Sequence, residues 1–296
     1  MVESLTPARA EAAGAPASPA LNGRADERTA VELSLLLEAI VRWGGYDFRE
    51  YAPATLKRRV AERMRAEGVE TISGLQERVL HDPESLRRFV FSMSQSSNRL
   101  FRAPEYFRAF REKVVPFLRT YSFVRLWFPA CSTGEDVYSV ATILMEEGML
   151  ARCMIYATDS SDIALNQARS GTFEVGPLEE FANDYRLSGG GSSLSDICEY
   201  TDGIARFSDK LQHHIIFSTH NIATDASLNE FQCIVARSVL PQFSKSLQYR
   251  VHNLLLASLS RFGFLCLSSA ESLHATPHEG AFRKVDEVFP IYRRMR

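Results

Sequence analysis

The 296-residue sequence lacks an excess of charge of either sign: 34 Lys and Arg stand against 36 Asp and Glu, for a formal net charge of -2. That balance exerts no global pull toward nucleic acid or an anionic membrane, so a charged partner must be met by a local patch. Cysteine is scarce and unpaired in pattern. Cys131, Cys153, Cys198, Cys233 and Cys266 are scattered and odd in number, and none forms the CxxC pair of a zinc or redox site. Buried free thiols and no bound metal are therefore expected. No apolar run reaches the ~18 residues that a membrane span needs. The N-terminus carries Glu3, Arg9 and Glu11 and has no apolar stretch of the signal-peptide kind. A cytoplasmic address without membrane insertion is the expectation. Internal repeats, a GxGxxG fingerprint and the lysine of a phosphate loop are also missing, which disfavours dinucleotide and triphosphate ligands.

The composition that is present, 45% hydrophobic and 24% charged, is that of a globular chain with a sizeable core. Residues 1–29, rich in Ala, Pro, Gly and charge, read as a disordered tail. From Ala30 the periodicity turns helical, with Leu33, Leu36, Ile40 and Val41 on one broad face up to Gly44-Gly45. The next helix, Pro53 to Gly68, carries Leu56, Val60 and Met64 at four-residue spacing and Lys57, Arg58, Arg59, Arg63 and Arg65 around the rest. Two more amphipathic stretches complete an all-helical, basic unit over 30–95. Beyond it, over 96–296, short apolar runs (Phe123–Phe128, Met154–Ala157, Ile215–Ser218, Cys233–Val235, Phe262–Leu267) alternate with helical stretches. That rhythm predicts an α/β domain with a mostly parallel sheet covered on both faces. Residues 171–210 break the alternation and suggest an inserted subdomain or lid.

In such sheets ligands sit at the carboxyl ends of the strands, where the strand order reverses. The first run is followed by Ala130-Cys131-Ser132-Thr133-Gly134-Glu135-Asp136 and an amphipathic helix. Small residues there admit a ligand to the backbone, and the two acids favour one with positive charge. An ordinary tight turn capped by Thr133 accounts for the same residues. Asp159 ends the second run, as a ribose-binding carboxylate or as a helix cap. Asn221, ending the third, suits an adenine edge or a turn cap. His220 pairs with no recognisable nucleophile, so a hydrolase is not supported.

Six pieces in order give the sequence its resemblance to one family. They are Leu100-Phe101-Arg102 with Pro104 and Phe107, Trp127–Tyr138, Ala157-Thr158-Asp159, His220-Asn221-Ile222, Val235–Phe243 and Glu271-Ser272-Leu273. From about Leu33 onward the chain resembles the chemotaxis-receptor (CheR-type) protein-glutamate methyltransferases. The resemblance implies an all-helical N-terminal domain followed by a Rossmann-like methyltransferase domain with a small insertion, and S-adenosylmethionine as cofactor, S-adenosylhomocysteine as product. It implies a cofactor pocket formed by Ser96, Asn98, Arg102, Ala130, Glu135, Asp136, Asp159, Asn221, Ile222, Ser238 and Val239. It places Arg102 and Gln242 at the reacting centre, and it turns Lys57, Arg58, Arg59 and Arg63 toward an acidic helical region of a receptor or signalling protein. A solvated helix face is the alternative for those cations.

The departures from the family pattern fall in the same pocket. Ser96 and Asn98 stand where members commonly carry Asn and Thr. Ala236-Arg237-Ser238-Val239 replaces Cys-Arg-Asn-Val, and Gln242 occupies the place of a tyrosine. Gln has neither ring nor phenol to wall a pocket. Two functions follow: a methyltransferase acting on protein glutamates, or a catalytically weakened, cofactor-binding homologue serving as a regulatory module.

Overall fold

A computed structural model describes residues 19–94, 99–228 and 230–296. Four helices open it: α1 (Pro19–Gly44), α2 (Pro53–Glu67), α3 (Ile72–His81) and α4 (Pro83–Ser94). Their ends follow local chemistry. Pro53 fits the first turn of α2, which stops at Gly68 in the left-handed region (φ 67°), and Thr71 caps α3 by accepting from the Gly74 amide at 3.0 Å. The expected tail to residue 29 is corrected in part, because α1 already begins at Pro19. All prolines of the segment (Pro7, Pro16, Pro19) lie at or before that point, and the residues that follow are mostly good helix formers. Residues 1–18 lie outside the described residues.

The chain continues through α5 (Pro104–Lys113), α6 (Val115–Leu118), β1 (Val124–Pro129), α7 (Glu135–Glu146), β2 (Cys153–Asp159) and α8 (Asp162–Ser170). Residues 171–210 then fold around β3 (Thr172–Glu174), α9 (Leu178–Leu187), α10 (Leu194–Ile197), β4 (Cys198–Thr201) and β5 (Ile204–Phe207), with α11 (Asp209–Gln212) closing the segment. Its strands form a separate antiparallel sheet in the order β3-β5-β4. This insertion is fastened to the end of α7: Glu146 accepts from the Ser192 amide at 3.1 Å and from the Tyr185 hydroxyl, and pairs with Arg111 at 2.6 Å.

The main sheet is completed by β6 (Ile215–Thr219), β7 (Phe231–Ala236), β8 (Leu259–Leu267) after helix α12 (Lys245–Ser258), and the C-terminal β9 (Phe282–Lys284) and β10 (Ile291–Arg294). Its order is β6-β2-β1-β7-β8-β10-β9; the first five strands are parallel and the last two antiparallel. The parallel strands match the five apolar runs. The order reverses between β1 and β7, which opens the crevice there.

The central parallel strands β1, β7 and β8 are buried on both faces and their alternate residues feed two cores, whereas β6, at the edge, buries one face only and leaves Ile216 exposed. Leu126, Phe128, Val235 and Phe264 face α5–α8 and the insertion. Trp127, Ile234, Leu265 and Leu267 join α12 and, without a break, Leu36, Ile40, Phe48 and Phe89 of the helical unit. A short ladder completes that junction. Ala52 N–H donates to the Gln242 carbonyl at 2.8 Å, Ser244 N–H to the Glu50 carbonyl at 2.8 Å, and the Tyr51 and Phe243 rings meet edge to face at 5.0 Å.

Candidate active site

The loops after β1, β2, β6 and β7 converge at the carboxyl edge with the segment before α5. Backbone strain concentrates in them. Of the eight described non-glycine residues with positive φ, five are here: Phe101, Ala103, Ala130, Ser132 and Ser238. Such conformations persist only where the surroundings enforce them, and they cluster at functional sites. Gly134, at φ 95°, has no alternative residue. An added Cβ would come within 2.9 Å of the Ala168 Cβ, so the turn lets α7 start hard against α8.

Glu135 opens α7 and is buried. Its Oε1 accepts from the Thr133 hydroxyl at 2.6 Å, whereas Oε2, equally shielded from water, accepts from no described residue. Burial pushes its carboxyl above the usual range, with Thr133 and Arg102 pulling it partly back. A buried carboxylate oxygen without a donor suits a ligand ammonium, the group that the amino-acid end of S-adenosylmethionine carries. The residues present therefore fit that cofactor. Asp136, beside Glu135, forms an ion pair with Arg237 at 2.7 Å, a guanidinium that also lies 4.2 Å over the Tyr106 ring.

Asp159 is almost fully buried at the end of β2. It accepts from Ser94 Oγ at 2.7 Å, from the Ser161 amide at 2.9 Å and from the Ser132 amide at 2.9 Å. Burial raises its carboxyl pKa against those donors. The acid thus joins the end of α4 to the turn after β1, and capping is one part of its work. Tyr51 lies close by, its phenol pushed up by burial and then by the charge of Asp159. The helical unit therefore roofs this end of the crevice.

After β6, Asn221 Oδ1 accepts from the Ala223 amide at 3.0 Å, the turn-capping arrangement, and Ile222 beside it is buried. His220 is held by the Ala226 carbonyl at 3.0 Å and lies edge-on to Trp127. Arg102 Nη2 donates to Ser238 Oγ at 2.8 Å, and Arg237 Nη2 donates to the Arg102 carbonyl at 2.9 Å. The structure thus brings Arg102, Ser238, Val239, Ala130, Glu135 and Asp159 to one crevice, with Gln242 on its helical-unit side. Ser96 and Asn98 lie outside the described residues.

The basic helix needs a correction. Arg59 is buried, with Nη1 on the Ser92 carbonyl, and Arg63, its side chain 15% exposed, pairs with Glu67 at 2.8 Å. Both lie on the side of α2 that packs within the helical unit, so the helix, not the charge, decided where they point. Lys57, Arg58 and Arg65 are exposed, with Arg58 paired to Glu62 at 3.0 Å. Arg237, Ser94 and Glu271 are structural parts of the site that sequence reasoning missed; for Arg237 and Glu271 the available signal is their place within Val235–Phe243 and Glu271-Ser272-Leu273.

The description "CheR methyltransferase, SAM binding domain" matches residues 96–289, and "CheR methyltransferase, all-alpha domain" matches residues 31–94. A Pseudomonas putida protein bearing the name of a putative methyltransferase, Cher3, is 38% identical over 269 residues, covering 91% of this chain and 98% of its own length. A chemotaxis protein methyltransferase of Listeria innocua is 26% identical over 235 residues, 77% of this chain and 85% of its own. The Pseudomonas putida chemotaxis protein methyltransferase Cher2 is 26% identical over 239 residues, 74% and 82%. Because the two family models together span 31–94 and 96–289, and the 38% identical relative aligns over nearly its whole length, the chain belongs to the CheR methyltransferase family.

Proposed function

We propose that the chain is a protein-glutamate O-methyltransferase acting on the acidic helical region of a chemoreceptor or related signalling protein, in the cytoplasm. The observation that carries the reading is the pairing of Arg102 with Ser238 beside a buried carboxylate, Glu135, one oxygen of which accepts from no described residue. The names of the Listeria innocua and Pseudomonas putida relatives point to chemotaxis. No described helix is long and apolar enough to cross a membrane.

S-adenosylmethionine, when bound, supplies a sulfonium methyl group. Glu135 would hold the ammonium of its amino-acid end, Asp159 the ribose, the Asn221 side-chain NH2 and Ile222 the adenine, with Ala130 and Val239 lining the wall. Arg102 offers paired N–H donors to a carboxylate, that of the cofactor or that of the attacking glutamate. A glutamate carboxylate is ionised at neutral pH, so the reaction asks for no strong base. Alignment and exclusion of water by the roof of the helical unit supply the rate. Lys57, Arg58 and Arg65 offer the exposed cations for an acidic helix.

Incubation with radiolabelled S-adenosylmethionine and receptor cytoplasmic fragments should give base-labile label on the receptor. Tight S-adenosylhomocysteine binding with no such label on any fragment overturns the reading. It would leave a cofactor-binding regulatory module, which the phenol-free Gln242 favours.

A further inference from the structure

We propose that Glu271 is a positioning residue that shapes the cofactor pocket through Ser238. It stands in the turn after β8 and is 5% exposed. Its Oε1 accepts from the amides of Val239 at 2.9 Å and Leu240 at 2.8 Å. Its Oε2 accepts from the amides of Ser238 at 2.9 Å and Ser268 at 2.7 Å, and from the Ser268 hydroxyl at 2.5 Å. A carboxylate has about four lone-pair sites, so five donors leave no capacity for cofactor or substrate. Glu271 acts on the site through other residues.

Three of those donors are consecutive amides, and they converge because Ser238 sits in the left-handed region at φ 61°. Successive N–H groups turned to one side make an anion nest, and here the anion is part of the chain. The same backbone twist carries the Ser238 hydroxyl to Arg102, 2.8 Å away. The Glu271 turn is itself anchored, since Leu273 is buried and its amide donates to the Tyr292 hydroxyl at 3.3 Å. Pairing therefore runs from β10 through Glu271 and Ser238 to the Arg102 guanidinium. This inference rests on Arg102 facing the cofactor, as read above, and does not need a receptor to be methylated.

The test is a double-mutant cycle read by calorimetric titration with S-adenosylhomocysteine. Glu271→Gln should weaken binding about tenfold, a change of about 1.4 kcal/mol, in the otherwise unaltered chain. In a Ser238→Ala background the same substitution should cost less than about twofold, because the link is already cut. If Glu271→Gln does not fold, Glu271→Asp carries the test, since it keeps the charge but reaches fewer of the amides. Equal weakening in both backgrounds, or a lowered melting temperature with unchanged affinity, overturns the proposal. Affinity coupling with no receptor methylation would sink the proposed function and leave this inference standing.

Discussion

At the scale of single residues, the two buried acids differ in how far their hydrogen bonds are met. Among the described residues one oxygen of Glu135 has no donor, and Asp159 is met by three donors on its two oxygens. A carboxylate whose folded-state pKa is raised disfavours folding as pH rises through that value, and the stability is recovered on acidification. Glu135→Gln keeps the acceptor for Thr133 and removes the buried charge. It should therefore raise the melting temperature of the cofactor-free protein while weakening S-adenosylhomocysteine about tenfold or more. Calorimetry checks both; a lower melting temperature contradicts the account. In the unaltered chain the affinity should begin to fall, as pH decreases, at a pH above the ordinary carboxylate range, because protonating Glu135 removes the partner of the ammonium. At Gln242 the main chain is pinned to Ala52, so Gln242→Tyr changes the side chain alone. On the proposed function it should raise kcat for receptor methylation several-fold with little change in cofactor affinity.

At the scale of elements, α2 shows why a charge run is a weak guide to a binding face. Five cations wind around 15 residues, and the helix turns Arg59 inward and Arg63 against Glu67. Arg59→Ala should cost about 1–3 kcal/mol in urea unfolding, because it removes a buried side chain and the donor to the part-buried Ser92 carbonyl. Lys57→Glu with Arg58→Glu should stay within about 0.5 kcal/mol of the unaltered chain and weaken binding of an acidic receptor fragment. Equal destabilisation by both changes contradicts the assignment of faces. Glu67, paired with Arg63 on its own helix, joins α2 to α4 through Arg88, whose hydrogen bond leads in holding the Glu67 pKa below the usual value. Its contribution is complete above the ordinary glutamate pKa and is lost as pH falls through the depressed one. Glu67→Gln should accordingly destabilise the protein near neutral pH and make little difference in strong acid.

At the scale of the whole molecule, the helical unit and the sheet domain share a core. Trp127, Ile234 and Leu265 belong to the same buried cluster as Leu36 and Phe89. Calorimetry should show one unfolding transition, shifted upward as a whole by S-adenosylhomocysteine. Two transitions, with only the later one ligand-sensitive, would mean that the units fold separately.

The sequence by itself determined the element types and the order of the crevice loops. Helical period and buried β-runs are local signals, and the parallel strands fall on the five apolar runs because the central ones are covered on both faces and the edge strand β6 on one. The insertion's small sheet, β9 and β10 left no comparable trace, being strands of three or four residues, too short for an apolar run to mark them. Tertiary structure alone decided which polar groups are available. It buried Arg59, matched Asp136 with Arg237, set the Asn221 Oδ1 to capping its own turn so that only its NH2 is left for a ligand, and spent Glu271 on a backbone loop. Whether a polar group serves a ligand or the fold depends on which donors and acceptors packing brings within 3 Å of it, and that is a property of the assembled crevice, not of the residue.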